Sequence, residues 1–206
     1  AAMDDLANVA VRLNQNLGIT SVQEMTGAFA SMIQAGREGS IELKDMAGLF
    51  PTLTAQMEAL GVRGRPAVDM LGAMLQVAAR GAASATIAGN NLGNFLSKLT
   101  LPETVRNFRD VGVDVAGVLQ NAMTRGINPI EAMVQKIREV TGGDMFKVGE
   151  LFGDQEVLNF LRPMLAGVQE YRDIVQSAGG ATAGLIDQSF EDRFRGMLIQ
   201  LNLATE

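Results

Sequence analysis

Two stretches of this chain echo each other at a single spacing, and that spacing narrows the folds open to it. Leu17, Gly18 and Ile19 are answered by Leu60, Gly61 and Val62, and Ala30, Met32, Ala35 and Arg37 by Ala73, Leu75, Ala78 and Arg80, every pair forty-three residues apart. A period of about 40–47 residues is the length of a two-helix unit, which cannot bury its apolar face alone and stacks on a neighbour. The echo predicts two such units, near 17–60 and 60–100, in a repeat-like helical subdomain over 1–100, with 101–206 as a second helical subdomain. No third copy follows Gly81.

Apolar periodicity supports helices throughout. Leu6, Val9, Ala10, Leu13 and Leu17 mark a first helix over 4–17, stopped by Gly18. Thr20 or Ser21 caps the next, with Gln23 or Glu24 as a capping-box partner; Val22, Met25, Phe29 and Met32 line it and Gly36 ends it. Ser40 is the expected cap of a third, whose Leu43, Met46, Phe50, Leu53, Met57 and Leu60 form the most regular seam in the chain. Pro51 interrupts that seam at a cost of about 3 kcal/mol, so a kink or two short helices meeting near Phe50 are expected. Pro66 opens a fourth helix with Val68, Leu71, Leu75 and Ala78 inward and Met70, Met74 and Val77 beside them. A fifth, over 84–99, turns Ala88, Leu92, Phe95 and Leu99 inward, with Gly89 and Gly93 placed for close packing against another helix.

In the second half, Thr100 and Pro102 start a short helix ending near Asp110, and residues 111–115 read as a small strand or an extended turn. Asn128, Pro129 and Glu131 begin a helix carrying Ile130, Met133, Val134 and Ile137, stopped by Gly142-Gly143. A short helix over 144–152 ends at Gly153. Asp154 caps a longer one, in which Val157, Leu161, Met164, Val168, Tyr171 and Val175 continue past Pro163. Residues 177–183 form an expected hinge or loop, and 185–203 a last helix with Phe190, Phe194, Met197, Leu198 and Leu201. The class is all-α, with about ten short to medium helices in antiparallel pairs, a compact domain and little or no strand.

Cysteine and histidine are absent, which removes disulfides, thiol nucleophiles, thiolate or imidazole metal sites and histidine-based acid–base chemistry. A formal charge of −6 with no basic run argues against a nucleic-acid surface. No window has the about 18 uninterrupted apolar residues of a membrane span. The acidic pairs Asp4-Asp5 and Glu191-Asp192 sit on polar helix faces with no third ligand at useful spacing, and Gly142-Gly143-Asp144 lacks a following phosphate-binding lysine. Arg193 and Arg195 are expected to pair with Glu191 and Asp192. Among the twelve methionines, Met25, Met32, Met46, Met57 and Met164 fall at inward positions and read as core. The residues therefore nominate no catalytic, cofactor or metal site and no enzyme. The Ala1-Ala2 start and the helix-like run Leu203-Ala204-Thr205-Glu206 suggest a piece of a longer protein.

Seven strings in order, Leu17-Gly18-Ile19-Thr20, Gln34-Ala35-Gly36, Leu43 with Asp45-Met46-Ala47, Ala59-Leu60-Gly61-Val62, Ala79-Arg80-Gly81, the run 108–115, and Leu151-Phe152-Gly153-Asp154, carry a further reading. Together, over residues 15–200, they resemble the core region of phage tail tape measure proteins. The resemblance implies a virion component in the tail tube lumen, assembled in the bacterial host cytoplasm. It also implies a scaffold that sets tail length while tail tube subunits polymerise around it, with tail assembly chaperones and other copies of itself as partners. The chain departs from the full-length pattern in lacking a long coiled coil, an apolar segment able to enter a membrane, and a muralytic or peptidase motif. The alternative is a helical protein–protein interaction module unrelated to phage.

Overall fold

The computed structural model describes residues 2–201, with the side chains of residues 188–191 outside that description. Among the described residues the elements are α1 (Met3–Leu17), α2 (Val22–Arg37), α3 (Leu43–Ala59), α4 (Gly64–Ala79), α5 (Ala85–Lys98) and α6 (Pro102–Asp110). They continue with α7 (Val115–Thr124), α8 (Pro129–Thr141), α9 (Met145–Phe152), α10 (Gln155–Ala166), α11 (Val168–Gly179), a 3₁₀ turn at Ala183–Leu185 and α12 (Gln188–Gln200). No strand occurs among the described residues, so the all-α class holds.

Most helix starts and stops are local chemistry. Ser21, Ser84, Asn128, Asp144 and Asp154 each accept a backbone N–H of the helix they open. The echoed Leu-Gly-Ile and Leu-Gly-Val strings turn out to be helix terminators. Gly18 and Gly61 adopt left-handed φ of 70° and 79°, and the residues after them reach back into the last turn of the helix, Ile19 N–H to the Leu13 carbonyl (3.3 Å) and Val62 N–H to the Met57 carbonyl (3.0 Å). Ile19 and Val62 are buried, which fixes the exit direction of the chain. The same device recurs at Val111-Gly112-Val113, where Val113 N–H bonds the Phe108 carbonyl at 2.9 Å. Residues 111–114 are thus a helix-ending turn, not a strand.

The echoed residues occupy matching places. Ala30 and Ala73, Met32 and Leu75, and Ala35 and Ala78 are all fully buried, while Arg37 and Arg80 are both exposed. Helix α2 lies against α4, and α3 against α5 and α1. Small residues set these approaches: a Cβ on Gly72 would stand 2.9 Å from the Ala35 Cβ, and one on Gly89 would stand 2.6 Å from a Leu49 methyl. The Gly89–Gly93 face is accordingly the α3-facing surface of α5.

Helix α4 is the hub, with α1, α2, α3, α5, α10 and α11 packed around it. Every residue from Ala67 to Ala78 is buried, so the expected stripe is in fact the whole circumference. The second half joins the same core through aromatic rings. Phe95 on α5 meets Phe160 on α10 at 4.8 Å and Phe152 at the end of α9 at 6.0 Å, and Phe152 meets Phe108 on α6 edge-on at 5.4 Å. Phe29 and Phe194 stack edge-on at 4.5 Å, fastening α12 to α2.

Several expectations are corrected. α3 runs as one helix across Pro51, because Phe50, Leu53 and Thr54 are buried on either side and Thr54 is tied to Asn16 of α1 at 2.9 Å, so packing holds the segment together despite the lost hydrogen bond. Its cap is Glu42, not Ser40, and α2 ends at Arg37, just beyond Gly36. The long helix expected through Pro163 divides at Gly167, whose N–H is turned onto the Pro163 carbonyl at 2.8 Å. Beyond the break the buried face is Tyr171, Ile174 and Ala178, so Val168 and Val175 are only half-buried. α11 continues to Gly179, into the expected loop. Sequence periodicity assigned nothing to residues 116–127, where α7 lies; its buried Val115, Leu119 and Ala122 are too few to stand out. In α12 Phe194 and Leu198 are buried and Leu201 is exposed; Phe190 and Leu203 lie outside the described residues.

Candidate functional site

The polar groups with the most unusual surroundings belong to α4. Arg65, Asp69, Gly72 and Gln76 follow at steps of four, three and four, which places them along one face. That face meets α2 and the chain on either side of it. Gln76 pairs with the Ile41 backbone in both directions, its Nε2 donating to the Ile41 carbonyl (2.7 Å) and its Oε1 accepting from the Ile41 N–H (3.0 Å). The loop before α3 is thereby held as a strand partner would hold it. A Cβ on Gly39 would stand 2.1 Å from Gln76 Oε1, so a larger residue there displaces the clamp.

At the other end of the face, Arg65 reaches off α4 to three acceptors. Its Nε donates to Ser31 Oγ at 3.1 Å, and its Nη2 to the Ala178 and Ala181 carbonyls at 3.1 and 2.5 Å. Ser31 in turn donates to the Ala178 carbonyl at 3.0 Å. These carbonyls belong to the end of α11 and the turn after it, and the Ala178 carbonyl also accepts the Ala181 N–H at 3.0 Å. Asp69, only 7% exposed, lies 3.8 Å from Arg65 Nε, and its Oδ1 has no hydrogen-bond partner among the described residues. Burial pushes the Asp69 carboxyl above its ordinary value, and the Ser31 hydroxyl and Arg65 guanidinium pull it partway back.

The opposite end of α11 is held by a second polar group. The Tyr171 hydroxyl is fully buried and pairs with the Asn128 amide at 2.9 Å, while Asn128 Oδ1 caps α8. Burial, foremost, raises the phenol above its ordinary value. Arg172 beside it donates its Nε to Glu131 at 2.8 Å, and Arg80 pairs with Glu170.

The surface offers shallow features. A groove of about 470 Å³ between α3 and α5 is floored by Gly48, Gly89 and Gly93 and rimmed by Asn94 and Glu156. Another of about 670 Å³ runs from Ser21 and Thr26 past Arg65 to Arg195. Phe146, on the first turn of α9, is 88% exposed. The residues nominated from sequence remain apart: Asp4 and Asp5 are exposed on α1, Asp192 is exposed on α12, and the pairing expected of Glu191 lies outside the described side chains. Asp144 accepts the Phe146 N–H at 2.8 Å as an ordinary helix cap. Among the described residues no three His, Cys, Asp or Glu side chains are placed to hold a metal ion, and no helix is long and apolar enough to cross a membrane.

This geometry binds helices to one another: Gln76, Arg65 and Ser31 spend their hydrogen bonds on backbone carbonyls and amides of neighbouring segments, and Tyr171 on the Asn128 side chain. Sequence comparison supplies the setting. Residues 1–155 match the family of phage-related minor tail proteins. The chain belongs to that family. It is also 29% identical over 219 aligned residues to the "Probable tape measure protein" of Burkholderia phage BcepMu, an alignment that covers 94% of this chain and 26% of that protein. The chain thus spans about a quarter of the length of the curated relative it matches. No solved structure matches it. The family match takes in α1 through α9, including both echoed units and the Arg65–Gln76 face, and a minor tail protein is a phage component. An interaction module unrelated to phage is thereby set aside.

Sequence reasoning missed the Arg65, Asp69 and Gln76 face, although a signal was present. Asp69 and Gln76 are charged or polar residues seven apart inside an otherwise apolar run, and seven is two helical turns.

Proposed function

We propose that this chain is a folded part of a tail tape measure, a non-enzymatic scaffold that takes part in setting tail length. It works inside the tail tube of the virion after assembly in the bacterial host cytoplasm, against tail tube subunits, assembly chaperones and further copies of itself. The observation that carries this reading is the alignment with the phage tape measure protein over 94% of the chain. The all-helical build supports it, since a helix advances about 1.5 Å per residue and converts chain length into distance. The polar residues in the core support it too, because they connect helices and leave no opposed acid and base.

Deleting this segment in frame from the parent gene and measuring tails by electron microscopy tests the reading. Tails shortened in proportion to the deletion, or failed assembly, are expected. Tails of unchanged length and number would exclude a length-setting role for these residues.

A further inference from the structure

We propose that the groove between α2, the start of α4, the turn after α11 and α12 is a docking site for an acidic segment of another protein, a carboxylate flanked by apolar side chains. Three donors on its walls are unspent. Thr26 is only 4% exposed, yet its hydroxyl stays open to the groove and makes no hydrogen bond among the described residues. A polar side chain buried to that extent ordinarily has a partner, and here the acceptor has to come from an occupant of the groove. Arg65 spends Nε on Ser31 and Nη2 on the Ala178 and Ala181 carbonyls, all along one edge of the guanidinium. Its Nη1, on the other edge, donates to none of the described residues and lies over Gly27, where a Cβ would stand 2.9 Å from it. The third donor is Arg195, exposed on α12 and without a hydrogen bond or ion pair among the described residues.

Charge and shape select the ligand. None of the described residues lining the groove is acidic, and Asp69, 3.8 Å from Arg65 Nε, stands on the edge away from Nη1 and outside the lining. Two guanidiniums therefore face one cleft in a chain whose formal charge is −6. Their planar forks of N–H donors match the two oxygens of a carboxylate, and the Thr26 hydroxyl adds a further donor. The remaining wall is apolar, from Val22 on α2 past Ala181 and Ala183 to Ile199 on α12. Aliphatic side chains beside the acid would cover that wall, whereas a bare phosphate would leave it wet and a polyanion would meet the negative charge of the rest of the surface.

NMR titration of the full chain tests this with a short acetylated peptide carrying one glutamate between leucines, the same peptide with glutamine in that place, and inorganic phosphate. Shifts confined to Thr26, Gly27, Thr182, Arg195 and their neighbours are expected with the glutamate peptide, and an affinity about tenfold lower with the glutamine peptide. Arg195→Gln, an exposed change that leaves the core alone, should weaken the glutamate peptide about tenfold, and Thr26→Val about threefold. Arg195→Glu should reverse the preference in favour of the same peptide with lysine in place of glutamate. Equal binding of the glutamate and glutamine peptides, no effect of Arg195→Gln, absence of shifts at the groove, or displacement of the peptide by equimolar phosphate would overturn the acidic-segment assignment. Groove signals that shift with protein concentration alone, and cease to do so in Arg195→Gln, would give the cleft to a second copy of this chain and overturn it likewise.

Discussion

Helices α4 and α11 lie side by side, and they are held in place by opposite means. α4 is buried around its whole circumference from Ala67 to Ala78, and apart from Asp69 and Gln76 that surface is apolar, so its position is set largely by shape: Gly72 admits Ala35, and six neighbouring helices enclose the rest. α11 buries Tyr171, Ile174 and Ala178, packs Val168 and Val175 at the edge of the core, and adds polar attachments, from Tyr171–Asn128 at its start to Arg65–Ala178 at its end. Non-directional burial resists any movement of α4. Hydrogen bonds and ion pairs near the surface, each worth about 0.5–1.5 kcal/mol net, hold α11 in one direction and can be exchanged for water.

That contrast breaks most readily at Leu71. Leu71→Ala, fully buried on α4, should lower global stability by about 2–5 kcal/mol in urea unfolding, whereas Ile174→Ala on α11 should fall at the low end, near about 2 kcal/mol, because the adjacent surface can close over the gap. Equal losses would mean that the two helices are held alike. Gly72→Val should cost about 1–3 kcal/mol by forcing α2 and α4 apart, visible in the same titration as a lowered midpoint at unchanged slope.

Tyr171→Phe removes the hydroxyl opposite Asn128 and should cost about 1 kcal/mol, with the added exchange confined to α11 and the start of α8. The pH response sharpens the picture last. The folded state holds the Asp69 proton more tightly than the unfolded chain does, so the contribution of this group is present below its ordinary carboxylate value and is lost as pH rises through the raised one. Arg65 on the same helix, Ser31 from α2 and Tyr171 from α11 are the polar or titratable groups around it. Unfolding free energy of the parent should therefore fall relative to Asp69→Asn on going from acid to neutral pH. A difference that stays flat with pH would show that the carboxyl titrates as it does in water.

Much of this was legible in the residues. The buried methionines at 25, 32, 46, 57 and 164, the glycine face of α5, and the caps at Ser21, Asn128 and Asp154 all stand where periodicity and capping chemistry put them. The echo at forty-three residues was a true signal of equivalent environments, but its most visible part, Leu-Gly-Ile and Leu-Gly-Val, is a helix-ending device that also appears at Val111-Gly112-Val113. The hydrogen bonds of Arg65 were not foreseen, because they depend on carbonyls 113 and 116 positions further along the chain.

What the sequence determined by itself was most of what acts within a turn or two of helix: the all-α class, where many of the helices begin and end, and which side of most of them is apolar. Only the tertiary structure decided that α3 continues across Pro51, that the next seam breaks at Gly167, that α4 is buried on every side because six helices surround it, and that Arg65 spends its hydrogen bonds on Ser31 and the end of α11 instead of Asp69. Local signals carry the free energy of a cap or a turn, about 1 kcal/mol, and long-range packing carries several times that wherever the two compete.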